Sequence, residues 1–419
     1  MRCAFSFGFR SVRVRYIRNL AMIRRLKHPI FATACVGLLS ASAFAVYAPI
    51  PEQEQGKLLT IYATAGAYYD TNIFGAPADE LSSMVYQVSP RFVFNVSASD
   101  QTLVSASYQL SVDYFVDRPG KQFLDSHSAS ASVKHTFSPR LEMELSDAFQ
   151  LSKNPESLLP GLSTVLNTDQ SYSLNQLDGR LAANLTKRTG LTFKGRVATF
   201  SYDNETLAEE LDRSEFLGGL VLTHALLPEI QAVAEYRHQA IRYADGGETK
   251  DKDSDFVLAG ADYVLSARTA LSGRLGAEYR RRKDADDELM PYAELAVKAD
   301  YAKGSYVSAG YGFSVEEVSN LDVYTDMTVH RFFANVQQVI SPRLVATGSL
   351  SWEPGKLNGR EGVSPDRDET NVKLGVALIH RLNTRWTVSA TLDRDDVTSD
   401  DPGRMLKRTR GGLTVRCVF

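Results

Sequence analysis

Short turns and longer polar connections alternate along this chain, and this order constrains the fold more than any single segment does. The runs between them have a two-residue period. An up-and-down meander that closes on itself places every short turn at one end and every long loop at the other. A sandwich with Greek-key connections would mix the two kinds. The tight turns lie at 99–101, 138–140, 187–190, 227–229, 266–268, 303–304, 341–343 and 382–384, and the longer connections at 71–82, 117–124, 152–168, 204–212, 245–253, 283–288, 318–326, 354–367 and 398–404.

The run from Thr102 to Val116 shows the two-residue period most clearly. Apolar and polar side chains alternate along it, so one face of the strand is dry and the other is wet. Counting such runs predicts an all-β fold, a transmembrane up-and-down antiparallel β-barrel of about eighteen strands. Pro90 falls inside the second run, where we expect a bulge because proline cannot donate to the ladder. The apolar positions of the clearest run are Val104, Ala106, Tyr108, Leu110, Val112 and Tyr114, and the polar ones are Ser105, Ser107, Gln109, Ser111 and Asp113.

The C-terminal stretch from Met405 to Phe419 has the same period and stops on an aromatic residue. Cys417, Val415, Leu413 and Gly411 share one face, and arginine and threonine occupy much of the other. A soluble sheet seldom ends on an unprotected edge strand, whereas the last strand of a barrel pairs with the first. The pattern resembles the C-terminal signal of bacterial outer-membrane proteins, which implies recognition by the barrel-assembly machinery. An ordinary C-terminal strand of a β-sandwich is the alternative. The candidate signal residues are Gly412, Val415, Cys417 and Phe419.

The N-terminus has the pattern of an export signal. Residues 1–28 carry eight basic side chains and no acidic one, and residues 30–45 are apolar or small. The stretch ends in an A-x-A site, which predicts cleavage between Ala45 and Val46. Met22 is a better start than Met1, because it gives a signal peptide of normal proportions. We therefore expect a signal peptide at 1–45, a short periplasmic segment at 46–56 and a barrel at 57–419, with both termini periplasmic.

Loss of the signal peptide changes both the charge and the cysteine count. The full chain has 47 basic and 50 acidic residues, so removing eight basic ones leaves 39 against 50, a net charge of −11. An acidic chain is a poor partner for nucleic acid. Cys417 would remain as the single cysteine, and the Cys and His residues lack zinc spacing. The sequence therefore predicts no nucleic-acid partner, no metal and no cofactor.

The polar face of the predicted strands carries charges of both signs. Such a face would be very costly to bury in a soluble fold, but it costs little in a wide, wet lumen. The mixture indicates a water-filled passage without strong ion selectivity. Its basic members could attract anionic sugars or phosphates, or they could form internal salt bridges. The candidate lumen-lining residues are Arg180, Lys194, Arg196, Glu235, Arg237, Arg274, Glu278, Arg280, Lys373, Arg408, Arg410 and Arg416.

Acidic residues cluster in the predicted outer loops, at 245–255, 284–288 and 393–401. Carboxylates at the cell surface could share divalent cations with lipopolysaccharide. Solvated loops that bind nothing are the alternative interpretation. The expected partners are thus outer-membrane lipid, lipopolysaccharide and the barrel-assembly machinery, together with polysaccharide or small solutes in the lumen.

The sequence gives little support for catalysis. It contains no G-x-S-x-G motif, no paired-carboxylate signature and no Gly-rich phosphate loop. His135, His224 and His380 each precede a tight turn, where we interpret them as interfacial side chains rather than metal ligands. The remaining histidines of the mature chain, His127, His238 and His330, would have to supply any catalytic base. We predict that the protein is not an enzyme.

Four short motifs resemble a known family. They are GAYYDTNIF at 66–74, SPRFVF at 89–94, DQTLVSASYQLSVDYF at 100–115 and an FSPRLE turn at 137–142 that is echoed at 341–344. Together they resemble the β-barrel porin family associated with exopolysaccharide gene clusters. The Tyr-Asp-Thr-Asn end of the first strand is the most specific part. The resemblance implies an outer-membrane barrel with a role in polysaccharide passage, and it implies no substrate-binding residues.

These observations favour a passive, water-filled pore in the bacterial outer membrane, with exopolysaccharide export as the role that the resemblance implies. Three alternatives remain at this point. A general small-solute porin would have constriction loops folded into its lumen. A structural or surface-binding barrel would have a plugged lumen. A surface hydrolase would depend on one of the histidines named above.

Overall fold

The computed structural model describes residues 54, 56–152, 171–244, 250–283, 285–316, 318, 323–360 and 362–419. The predicted signal peptide and its cleavage site at Ala45 and Val46 lie outside the described residues. So do most of the predicted periplasmic segment and the predicted loop at 153–168.

Eighteen β-strands form a single sheet in which each strand pairs antiparallel with its neighbours in the chain. β1 and β18 also pair with each other and close the sheet, so the predicted β-barrel of about eighteen strands is confirmed. The strands are β1 Leu59–Asp70, β2 Ser83–Ser99, β3 Thr102–Phe115, β4 Phe123–Ser138, β5 Leu141–Ser152, β6 Tyr172–Asn184, β7 Thr189–Tyr202, β8 Arg213–Ala225, β9 Ile230–Tyr243, β10 Lys252–Ser266, β11 Thr269–Arg282, β12 Ala285–Ala302, β13 Ser305–Glu316, β14 Tyr324–Ser341, β15 Leu344–Gly359, β16 Arg367–Arg381, β17 Trp386–Ser399 and β18 Leu406–Val418.

Short turns collect at one end of the barrel, as the sequence predicts. Each even-numbered strand before β18 leads into the next through two to four residues. In the two-residue turn 303–304, Gly304 takes a φ of 73°, a left-handed conformation that side chains with a Cβ avoid. The longer connections lie at the opposite end, which we interpret as the extracellular one. They are 71–82, 116–122, 153–171, 203–212, 244–251, 317–323, 360–366 and 400–405.

Some polar stretches that we expected to be loops are strand. β12 begins at Ala285, so the connection after β11 is only residues 283–284 rather than 283–288. Likewise β15 runs on to Gly359, and residues 393–396 lie in β17. Above the membrane a paired strand meets water on its outer face, so polar residues there do not end the ladder. Asp287 illustrates this, because its carboxylate accepts a hydrogen bond from the hydroxyl of Tyr279 on β11 at 2.5 Å.

Within the described residues, helical structure occurs only in the extracellular connections between strands. Helix α1 spans Glu205–Leu211 between β7 and β8, and a 3₁₀ turn spans Pro402–Arg404 between β17 and β18. No helix in the described part of the chain is long and apolar enough to cross a membrane.

The outer face of the barrel is apolar. Large side chains that point outward remain highly exposed, including Leu275 at 68% and Leu413 at 61%. A soluble protein rarely exposes a continuous apolar surface of this extent, whereas a membrane barrel needs one to face acyl chains. Closure of the sheet satisfies the backbone hydrogen bonds that lipid cannot. The chain is therefore a barrel of the bacterial outer membrane.

Pro90 departs from expectation, because the strand that contains it has no bulge there. Its pairing with Ala63 on β1 keeps the same register as the rest of that ladder. On the β3 side, pairing is interrupted between Val88 and Arg91 and resumes without a shift. The missing N–H is thus accommodated by a gap in one ladder, not by an extra residue.

The seam between β1 and β18 is tightly packed. The β1–β18 ladder begins where Tyr62 pairs with Val418 and ends where Asp70 pairs with Arg410. A Cβ added at Gly412 would lie 2.5 Å from Cβ of Tyr68. Gly412 belongs to the predicted assembly signal, and the geometry gives it a packing role at the closure.

The extracellular end of the seam is locked by polar contacts. The Asp70 carboxylate bonds to the Arg408 guanidinium, and both side chains are buried. Beside them the backbone N–H of Thr71 donates to the Thr409 carbonyl at 3.0 Å, and the Thr409 N–H donates back to the Thr71 hydroxyl at 2.8 Å. Asn72 donates to the Lys407 carbonyl at 3.1 Å. The most specific motif of the sequence therefore lies at the barrel closure.

Candidate functional site

Strand register identifies the side chains that face the lumen, because directly opposed residues share a face. One interior row crosses five consecutive strands through Glu144, Arg180, Lys194, Gly219 and Arg237. The same reasoning places all the candidate lumen-lining residues on the interior face: Arg180, Lys194, Arg196, Glu235, Arg237, Arg274, Glu278, Arg280, Lys373, Arg408, Arg410 and Arg416.

Charges on the wall formed by β4 to β7 are joined in ion pairs. Glu142 lies between two cations, with Nζ of Lys134 at 3.0 Å and a guanidinium nitrogen of Arg180 at 3.7 Å. Arg196 donates to Asp178 at 2.7 Å. These side chains are a quarter to two-fifths exposed, so they lie at the surface of the lumen, in contact with water.

The wall formed by β8 to β12 carries a more deeply buried set of pairs. Glu235 is 4% exposed and accepts from Arg237 at 2.7 Å, with Nζ of Lys194 at 3.7 Å. Arg274 donates to Asp262 at 2.8 Å. The ring of Tyr292 lies 5.8 Å from the Arg237 guanidinium. Long, paired side chains therefore cover this wall.

On the third side of the lumen, Arg331 links two strands through carboxylates on β13 and β15. Its guanidinium is 2.8 Å from both Glu316 and Glu353. Arg410 lies 3.5 Å from Asp395, and the Arg416 guanidinium stacks 5.8 Å from the ring of Tyr62. Internal salt bridging, which the sequence left open, therefore accounts for many of the interior cations.

The extracellular mouth is narrowed where the connection between β1 and β2 folds inward. Ile73 is 1% exposed and packs on the interior side chains Val85, Phe115 and Leu124. The Arg118 guanidinium, from the next connection, lies 5.9 Å from the Phe115 ring. An apolar loop residue packed against interior positions holds this segment over the lumen.

Helix α1 makes a second inward contact. Leu211 at its end is 1% exposed and packs on Tyr172 and Tyr202, which are interior residues of β6 and β7. Asp212 follows the helix and accepts from the Tyr202 backbone N–H at 2.7 Å. These contacts hold the β7–β8 connection against the inside of the mouth.

Two further connections pack inward elsewhere around the mouth. Val318, between β13 and β14, is buried against a cluster that includes Met327 and Leu357. Between β17 and β18, Arg404 forms a double hydrogen bond with Glu369 of β16 at 2.7 and 2.9 Å. Described segments thus narrow the mouth from several sides. This inward packing was not predictable from loop composition.

The histidines considered for catalysis face away from the lumen. His127 is hydrogen-bonded to the hydroxyl of Tyr108 at 2.8 Å, and His330 to that of Tyr311 at 2.9 Å. His238 bonds to Asp255 at 2.9 Å on the outer face of β9 and β10. All three histidines therefore bond to partners on the outer face of the barrel.

The acidic residues of the extracellular end are partly neutralised. Asp253 is held by Arg242 at 2.8 Å on the outer face, and Asp366 by Lys356 at 2.6 Å. The hydrogen bond from Lys356 lowers the pKa of the Asp366 carboxyl. Within the part of the chain that the structure describes, no group of three metal-ligating side chains converges. Cation sharing with lipopolysaccharide stays a prediction.

No family model matches this chain, and no curated protein matches it. Among solved structures, it is similar to a BenF-like porin from Pseudomonas fluorescens Pf-5, at 8% identity over 86% of this chain and 98% of that one, with a TM-score of 0.49. OccAB4 of Acinetobacter baumannii matches at 10% identity over 88% and 99%, with a TM-score of 0.47. OccK5 (OpdH) of Pseudomonas aeruginosa matches at 11% over 86% and 98%, also with a TM-score of 0.47. Because the TM-scores are below 0.5, these likenesses do not identify the solute that this chain transports.

Proposed function

We propose that this barrel is a porin, a passive pore for small hydrophilic solutes. The observation that carries the proposal is the combination of a charged interior wall with extracellular segments packed into the mouth through Ile73, Leu211 and Val318. A charged wall favours a hydrated passage. The segments anchored in the mouth by buried apolar residues set an upper limit on the size of the solutes that enter.

Exopolysaccharide export, the role that the family resemblance implies, is the competing proposal. A polymer chain needs a bore that stays open along its whole length while many sugar units pass. Inward-packed segments at the mouth and the covered wall around Arg237 and Tyr292 oppose such a bore. They support a small-solute porin, which is the alternative for which constriction loops are expected.

Ion selectivity should be weak in such a pore. Carboxylates and cations alternate around the interior, as in the contacts of Glu142 with Lys134 and of Arg331 with Glu353. Opposite charges a few ångströms apart cancel at the distance of a solute on the axis, and salt screens the remainder over about 10 Å.

Single-channel conductance of the refolded protein, with neutral sugars of graded size as blockers, tests the proposal. We expect stable open channels that admit small sugars and exclude long oligosaccharides. A barrel that never conducts would instead be plugged. If deletion of the gene stops polymer from reaching the cell surface while small-sugar uptake is unchanged, export replaces the small-solute proposal.

A further inference from the structure

Two arginines of β11, Arg280 and Arg282, carry guanidinium nitrogens that have no acceptor among the residues that the structure describes. Both lie near the extracellular end of the interior wall, opposite Ser254 and Lys252 of β10. Arg280 is 1% exposed. Three of their nitrogens are closed off from water: Nη1 of Arg280, and Nε and Nη2 of Arg282. None of the three makes a hydrogen bond within the described part of the chain. Buried polar atoms are nearly always paired, so unpaired guanidinium nitrogens indicate a missing acceptor.

The contacts that these arginines do make fix the direction in which they point. Nη2 of Arg280 donates to the Val315 carbonyl at 2.6 Å, and Nη1 of Arg282 donates to the Thr325 carbonyl at 2.9 Å. Those carbonyls belong to the end of β13 and the start of β14. Both guanidinium groups therefore extend across β12 toward the same part of the mouth.

The charges of the two arginines are compensated differently. Arg280 pairs with Glu278, at 3.0 Å from Nε, and Glu278 also accepts from Ser254 at 2.7 Å. Among the described residues, Arg282 has only the Thr325 carbonyl as a partner, and a carbonyl carries no full charge. Glu288 lies opposite Arg280 on β12, but its side chain is exposed and forms no described ion pair.

We propose that Arg280 and Arg282 together bind an oxyanion, the phosphate or carboxylate group of a small solute. Guanidinium groups present planar, charge-assisted donors that match the oxygens of phosphate and carboxylate. An oxyanion at this position would supply acceptors for the nitrogens that lack them and would neutralise Arg282. The covering side chains must move to admit it, since the unpaired nitrogens are closed to water.

This assignment rests on the proposed porin function, because a subsite in the mouth serves a solute that passes through it. It names acidic small solutes as a preferred class. The test uses the refolded barrel in detergent, titrated calorimetrically with inorganic phosphate against chloride at equal ionic strength. Conductance of the same preparation is recorded separately, so that failure of the pore and failure of the site are distinguishable.

Arg282→Gln is the informative variant, because Arg282 makes a single described hydrogen bond and its loss should leave the fold intact. We expect phosphate binding to weaken about tenfold in this variant. Arg281→Gln is the matched control, since Arg281 is the neighbour in sequence but bonds Asp255 at 2.7 Å on the outer face. Its phosphate affinity should equal that of the unmodified protein. A conducting barrel that does not bind phosphate, or equal affinities in all three proteins, would overturn the assignment.

Discussion

The carboxylate of Asp70 and the guanidinium of Arg408 form a buried ion pair across the seam where the first and last strands meet. Oδ2 of Asp70 lies 2.5 Å from Nη2 and 3.0 Å from Nε. The two residues are 338 positions apart in the chain, so the pair forms only when the barrel closes. It therefore reports and stabilises closure.

Replacement of Asp70 by Asn should destabilise the closed barrel. Removing one partner of a buried pair leaves an uncompensated charge, at a cost of about 3–5 kcal/mol. The midpoint of urea unfolding in detergent micelles measures the effect. Arg196→Gln is the control, because its 2.7 Å pair with Asp178 lies away from the seam and both side chains are more than a third exposed. Equal losses in the two variants would contradict a special role for the seam pair.

Gly412 should tolerate no larger residue. A Cβ there would lie 2.5 Å from Cβ of Tyr68 and 2.6 Å from the Ala67 carbonyl oxygen, so Gly412→Ala should impair assembly. Gly411→Ala is the matched control, since its Cβ would meet Leu392 at an ordinary 3.5 Å. The amount of heat-resistant, unboiled barrel in outer-membrane fractions measures assembly. Comparable yields from both variants would remove the packing explanation for this glycine.

Loosening the mouth should widen the pore. Ile73→Ser replaces a buried anchor with a polar side chain, which weakens the packing of the β1–β2 connection against the interior. We expect higher single-channel conductance and more frequent current fluctuations. Val363→Ser, in the connection between β15 and β16, is the control because Val363 is 61% exposed. Unchanged conductance in the Ile73 variant would mean that this segment does not limit the passage.

The charge of the interior wall can be shifted at Glu142. Glu142→Gln leaves Lys134 and Arg180 without their shared carboxylate, so the pore should become more anion-selective. The reversal potential in a salt gradient measures this. Asp147→Asn, in the same strand but on the outer face, should leave the reversal potential unchanged. A matching shift in both variants would show that the effect does not come from the lumen.

Strand positions and orientation were predictable from the sequence because the two-residue period is local. The alternation around Tyr108 gives both the strand and its outward face. Loop packing was not predictable, because nothing near Ile73 or Val318 in the chain indicates which interior residues they meet. Those contacts depend on closure of the barrel.

Two corrections have the same kind of cause. The stretch after β11 looks like a loop because it is acidic, yet above the membrane a ladder can continue, as it does at Asp287 on the outer face. Pro90 suggested a bulge, but its register is held by pairing on the side of β1. In each case the neighbouring strand, not the local composition, decides the structure.

Thiol labelling of two adjacent positions tests the central claim, that a hydrated interior and a lipid-facing exterior alternate along each strand. Ser107 and Ala106 are neighbours on β3, and Ser107 faces the lumen, where its hydroxyl contacts that of Ser130 at 2.8 Å. In a Cys417→Ser background reconstituted in liposomes, a water-soluble maleimide should label Ser107→Cys rapidly and spare Ala106→Cys. Faster labelling of Ala106→Cys, or equal labelling of both, would contradict the barrel with a wet bore described here.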